Sequence, residues 1–219
     1  MLATNNSLST RRIAAALSVF FVAGIITFLL KPVNERPSFY GKIVSAEAFS
    51  KDLSTTKGAR DPKIELTLFC DYASSACRSL QPVMLEILDK YDEVSWTHKD
   101  YIFKGKSSRK AAEAARCAKK QNMFWDYHDI LYHEQIEWPG INRHIEVFRD
   151  YADEIGLDVD EFTACMDFTN TRDEVSDDLR EARNIGIYTA PALFINNTLM
   201  EHPYDLARIE QAVRYELRR

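Results

Sequence analysis

No block of basic residues runs through this sequence: its 28 lysines and arginines are interleaved with 33 acids, giving a net charge of −5 and a pI near 5.6. A nucleic-acid surface needs clustered positive charge, so that class of partner is not expected. Metal-ligand spacing is lacking as well. Cys70, Cys77, Cys117 and Cys165 lie 7, 40 and 48 residues apart, which fits no zinc pattern, and no histidine and carboxylate cluster has ligand spacing. No metal and no other cofactor is expected. An even cysteine count permits disulfides if the protein is exported.

Long uncharged runs are scarce too, with one exception. Residues 13–30, IAAALSVFFVAGIITFLL, carry no charge and follow Arg11 and Arg12. At the rise of an α-helix they cover roughly 27 Å, enough to cross a hydrocarbon core. A cleaved signal peptide is the rival, but LLKPVNERP follows directly and offers no small-residue cleavage site. The double arginine resembles a twin-arginine signal, except that Ala14 and Ala15 replace the usual apolar pair. The reading adopted is a tail over 1–12, an uncleaved signal-anchor over 13–30 and an extracytoplasmic remainder. Orientation is weakly set, because Arg11 and Arg12 face Lys31, Arg36 and Lys42 across the span.

What remains is 46% hydrophobic and 28% charged overall, an ordinary globular composition. It is too long for one small core, so one domain with an insertion is expected. Residues 31–60, with Pro32, Pro37, Gly41 and Gly58, read as a linker with a short helix. IELTLF (64–69) is a short buried strand, and SSACRSLQPVMLEILDKY has helical spacing with Ser74 or Ser75 as N-cap. Pro82 should kink that helix. EVSWTHKDYIF is a second strand, and five helical segments follow to Gly186. APALFINNTLMEH is a hairpin turning at Asn196 and Asn197, and an amphipathic helix closes the chain. The order is β-α-β, a helical insertion over about 104–186, then β-β-α.

This order resembles the DsbA-like branch of the thioredoxin superfamily, in particular its membrane-anchored or exported bacterial members, over residues 61–219. The likeness rests on Phe69, Asp71 and Tyr72 ahead of a turn, Pro82 in the following helix, AAEAARCAKKQNMFWDYHDILY, YADEIGLDVDEFTACM, and IGIYTAPALFINN before a strand. It implies a thioredoxin-like α/β fold with a helical insertion and a cis peptide between Ala190 and Pro191. The backbone beside such a bond can pair with an extended peptide, which makes Ala190, Pro191 and Tyr72 candidate substrate-binding residues. Related proteins often carry cysteines at the places of Cys117 and Cys165, and some join them. Such a structural disulfide would contribute about 3 to 5 kcal/mol.

One departure decides the chemistry. The family's C-x-x-C falls on Ser74, Ser75, Ala76 and Cys77, so the first cysteine is missing. A thiol there is acidified by the helix N-terminus and attacks disulfides; a serine hydroxyl does neither. The two-cysteine oxidase cycle is therefore closed. Cys77 is either a packed residue or a lone reactive thiol. Cys70, just beyond the strand, is more readily a packed core cysteine than a partner of Cys77 across the turn. The aromatic group Phe124, Trp125, Tyr127 and Tyr132 reads as core, and His98, His128 and His133 as structural or exposed.

The expectation is thiol–disulfide handling on exported protein or peptide thiols, with Cys77, Ser74 and Cys70 as candidate catalytic residues and a membrane redox partner. Two alternatives stand beside it. Kappa-class glutathione transferases and the related chromene-carboxylate isomerases resemble this fold and place a serine at the position of Ser74 to hold the glutathione sulfur, though DYASSAC lacks their usual following proline. A redox-inactive, chaperone-like pseudoenzyme could use the Pro191 surface alone.

Overall fold

A computed structural model describes residues 36–140, 144–167 and 170–219. Its centre is strand β3 (Ile64–Cys70), buried on both faces. Leu66, Leu68 and Cys70 enter the larger apolar core while Phe69 enters a second, smaller one. A strand that feeds two cores needs apolar residues on both sides, which is why IELTLF alternates and then closes on an apolar pair. Each such side chain contributes about 1.5 to 3 kcal/mol of burial.

β3 pairs in parallel with β4 (Val94–Asp100) and antiparallel with β5 (Ala192–Ile195). β5 turns at Asn196, whose φ of 53° suits a tight hairpin, into β6 (Thr198–Met200). Helix α1 (Ser75–Lys90) connects β3 to β4 and runs through Pro82 as one element. Between β4 and β5 come α2 (Lys106–Lys120), α3 (Phe124–His133), α4 (His144–Glu154), α5 (Val159–Asp167) and α6 (Asn170–Asn184), and α7 (Leu206–Glu216) ends the chain. A β-α-β half and a β-β-α half thus flank a helical insertion.

The stretch read as linker differs from expectation. β1 (Tyr40–Ile43) pairs with β6, and β2 (Thr56–Gly58) pairs with β4, so residues 40–58 supply both edges of a six-stranded sheet ordered β1-β6-β5-β3-β4-β2. Edge strands this short carry little periodicity. Gly58 fixes the second edge: at φ 100° a Cβ would lie 2.5 Å from the Val94 carbonyl oxygen, closer than any side chain tolerates. The short helix expected there appears only as two 3₁₀ turns, Ala46–Ala48 and Leu53–Thr55. The proposed anchor, residues 13–30, lies outside the described residues; among those described, no helix is long and apolar enough to cross a membrane.

The aromatic residues at helical spacing on α3 are core. Phe124, Tyr127 and Tyr132 are buried, Trp125 is half-buried, and all but Tyr127 gather around His128.

Candidate functional site

The turn between β3 and α1 is built by three side chains. Asp71 is buried, and its carboxylate accepts from the amide of Ala73 at 2.8 Å and from those of Phe103 and Lys104 at 2.7 Å each. An aspartate here folds the chain back on itself and ties the turn to the segment after β4. Ser74 is the N-cap: its Oγ accepts from the Cys77 amide at 3.4 Å. Gln135 closes the turn from the insertion, donating to the carbonyls of Tyr72 at 2.6 Å and Ser74 at 3.0 Å.

Beneath this turn the structure joins Cys70 to Cys77, with Cα atoms 5.7 Å apart. The sequence favoured a packed Cys70 apart from Cys77, itself either packed or a lone thiol, and the turn instead brings the two together. Both are shielded, Cys70 at 1% exposure and Cys77 at 0%. The backbone amide of Asp71 donates to the Cys77 sulfur at 3.3 Å. Cys117 and Cys165 are joined likewise, linking α2 to α5 with the same Cα separation of 5.7 Å.

The Ala190–Pro191 peptide is cis. Ala192 is registered opposite Phe69, so Pro191 stands one residue further along, beside Cys70. Ala190 is half-buried and Pro191 buried. Tyr72 is buried rather than offered to a ligand. Its hydroxyl lies 3.0 Å from His128 Nδ1, while His128 Nε2 lies 2.8 Å from Gln81 Oε1, and Gln81 Nε2 donates to the Cys77 carbonyl at 2.9 Å. Since Gln81 Oε1 can only accept, Nε2 carries the imidazole proton and the tyrosine hydroxyl donates to Nδ1. Burial, then the nearby His98 and Lys57, hold the His128 pKa well below its ordinary value. Neutral His128 thus fixes Tyr72 to the helix that carries Cys77.

Sequence reasoning missed a second layer. In the parallel register Cys70 faces Asp100 and Leu68 faces His98, and registered residues share a face. His98 Nε2 lies 3.3 Å from Asp100 Oδ1, and Arg116 Nε donates to Asp100 Oδ2 at 2.7 Å. Arg116 also pairs with Asp178, which Lys99 reaches at 3.2 Å. All five residues are buried. Burial pushes Asp100 up, but Arg116 and His98 more than offset it, leaving its carboxyl below the usual range. Asp178 moves the other way, because burial and the Asp100 charge outweigh Arg116 and Lys99. His98 Nδ1 has no hydrogen-bond partner among the described residues. The sequence signal was present in THKD, a strand end with ionisable residues on both faces. His133, by contrast, is exposed. Among the described residues no group of histidines, cysteines and carboxylates could hold a metal.

The arrangement can exchange two electrons at one buried sulfur pair beside a cis-proline. Comparisons with known proteins bear on the family and the fold. A family model described as Thioredoxin matches residues 51–214. The chain is 24% identical over 226 residues to the probable disulfide bond formation protein D of Bacillus cereus, covering 98% of this chain and 99% of that protein. It is 26% identical over 164 residues to Na(+)/H(+) antiporter NhaA 3 of Salinispora tropica, covering 74% of this chain but only 24% of the antiporter. It thus spans about a quarter of that relative's length. Oxidised BdbD from Bacillus subtilis superposes with a TM-score of 0.68 at 20% identity, over 84% of this chain and 100% of that one. The catalytic domain of Proteus mirabilis ScsC gives 0.65 at 25% identity, over 79% and 94%.

Proposed function

The chain belongs to the thioredoxin family, and on that premise we propose that it is an extracytoplasmic, DsbA-like protein of thiol–disulfide exchange that works through Cys70 and Cys77 in place of a C-x-x-C turn. The observation that carries this reading is the pairing itself. Cys77 keeps its position in the first turn of α1 and is bonded to Cys70, so a two-electron couple stands at the family's usual place although Ser74 has displaced the first thiol. The cis-proline beside Cys70 and the name of the B. cereus relative support it. Its substrates would be exported protein or peptide thiols. Two disulfides suit an oxidising compartment, which favours residues 13–30 as a single-pass anchor in a bacterial cytoplasmic membrane, with a membrane redox partner restoring the couple.

The test is titration of the full chain in glutathione buffers, with alkylation and mass mapping of each cysteine. Cys70–Cys77 is expected to open and close reversibly while Cys117–Cys165 stays closed, as structural bridges with potentials below about −300 mV do. If both bridges stay closed throughout, Cys70–Cys77 is a structural crosslink and the oxidoreductase reading is lost.

A second reading has its own observation. Phe103 is 58%, Ile136 82% and Tyr188 74% exposed, on the three segments that border the turn and the cis-proline. Exposed apolar side chains in one neighbourhood suit a redox-inactive, peptide-binding module. Protection of an unfolded client by a Cys70→Ser, Cys77→Ser double variant would favour it. The transferase reading has weaker support, because Ser74 is 6% exposed and its hydroxyl already caps α1. Calorimetric binding of glutathione would restore it.

A further inference from the structure

We infer that the two sulfurs have unequal roles, with Cys77 the attacking thiol and Cys70 the resolving one, so that the second position of the turn has become the nucleophile. This rests on the proposed exchange reaction and assigns the parts within it.

The two sulfurs sit in opposite fields. Cys77 lies in the first turn of the 16-residue helix α1, where unpaired amides and the helix dipole favour negative charge. Its sulfur already receives the Asp71 amide at 3.3 Å, a contact that strengthens when the acceptor is charged. The Asp71 carboxylate, the nearest anion in the turn, is taken up by three backbone amides. Cys70 ends β3 with the buried Asp100 as its registered neighbour on the same face. Arg116 partly neutralises Asp100, but among the described residues Cys70 gains no donor like the Asp71 amide, so its thiolate is the less favoured of the two.

Access points the same way. Neither sulfur is reachable as folded, so exchange needs a local opening. Cys70 ends the central strand, paired with Asp100 on β4 and one residue beyond the last β5 pair of Phe69 with Ala192. Cys77 faces the core from the first turn of α1, whose outer residues Ser75 and Ala76 are exposed and half-buried. Pro82 lacks the N–H that would bind the Arg78 carbonyl, which loosens that turn from the rest of the helix. Opening at a helix end costs far less than opening a central strand.

In the half-cycle that restores the couple, the Cys77 thiolate attacks the disulfide of the redox partner. A bond forms between Cys77 and one partner sulfur, the partner's own S–S bond breaks, and its second sulfur leaves as a thiolate. Cys70 then gives its proton to the departed partner thiolate and attacks Cys77. The Cys70–Cys77 bond forms, the first partner sulfur leaves, and the two protons of the original dithiol end on the partner's two thiols. Two electrons pass from this protein to the partner.

The experiment uses the full chain with Cys117–Cys165 intact. Reduced Cys70→Ser and Cys77→Ser variants are mixed with 2,2′-dithiodipyridine and the released thione is followed. Cys77 in the Cys70→Ser variant should react about tenfold faster than Cys70 in the Cys77→Ser variant. In case either variant folds poorly, the reduced wild-type protein is pulsed with iodoacetamide and mapped, where label should reach Cys77 first. Asp100→Asn should raise the share of label on Cys70, whereas mere loosening of the fold would raise both. Faster labelling of Cys70 overturns the role assignment while leaving exchange intact. Failure of both thiols to react in the folded wild type overturns the exchange reading and this one with it.

Discussion

The two disulfides are alike in outline and opposite in surroundings. Each has Cα atoms 5.7 Å apart, and all four cysteines are buried. Cys117–Cys165 joins two helices of the insertion across an apolar interior of Ala114, Ala118, Phe162 and Met166. Among the described residues neither sulfur takes a hydrogen bond, although the buried Glu113 stands one turn before Cys117 on the same helix. Cys70–Cys77 spans a seven-residue separation under a helix N-terminus, with the buried Asp100 registered beside Cys70 and an amide donated to the Cys77 sulfur. Burial and spacing therefore do not separate a structural bridge from one suited to exchange. The local field and the cost of opening do.

Removing each bridge by double serine substitution should widen that contrast. Loss of chain entropy in the unfolded state scales with loop length, so deleting Cys117–Cys165, with its separation of 48, is expected to cost about 4 kcal/mol. Deleting Cys70–Cys77 should cost about 2.5 kcal/mol from its shorter loop. Urea unfolding of both variants checks the order. A larger cost at Cys70–Cys77 would mean that the site bridge is the main staple and the comparison is reversed.

The buried charges under Cys70 offer a next, smaller test. Asp100→Asn leaves Arg116 short of one partner while Asp178 still faces it, so about 2 to 3 kcal/mol should be lost. The pH dependence has a defined sign. The folded-state pKa of Asp100 lies below its unfolded value, so its contribution is fully present above about pH 4 and is lost as pH falls through the folded value. Asp178, raised in the folded state, acts in the opposite sense. Wild-type stability should therefore fall more steeply than that of Asp100→Asn below about pH 4, read from unfolding midpoints at stepped pH. Parallel curves for the two proteins would show that Asp100 is not held as an anion.

Much of this was legible because it is local. The alternation of IELTLF, the spacing of the insertion helices and the double asparagine of the hairpin each act within a few residues, and each appears close to its expected bounds. The edge strands over 40–58 were not legible, because four residues and three residues carry no period of their own and gain strandhood only from β6 and β4. At the site, Ser74 as cap and the frame of Asp71 and Tyr72 could be read directly. The bond between Cys70 and Cys77 could not, since it depends on how sharply Asp71 folds the turn through amides of Ala73, Phe103 and Lys104. The pairing of Cys70 with Asp100 needs the parallel register, which one strand's sequence does not contain.

The smallest expected effect is the most discriminating for Ser74. As N-cap it accepts one long hydrogen bond of 3.4 Å from the Cys77 amide, so Ser74→Ala should cost only about 0.5 to 1 kcal/mol, the lower part of the range for such caps. If exchange runs between Cys70 and Cys77, the hydroxyl takes no part in bond making, and the rate at which Cys77 exchanges should stay within about twofold of wild type, because an orphaned amide in the first turn still favours the thiolate. The same substitution in a protein that holds a glutathione sulfur on Ser74 would abolish glutathione binding while leaving the Cys70–Cys77 couple unchanged. Stopped-flow exchange and calorimetry on one variant thus separate the two chemistries. A loss of exchange far beyond twofold would place Ser74 among the reacting groups and erase the difference between a serine that shapes the turn and two cysteines that react beneath it.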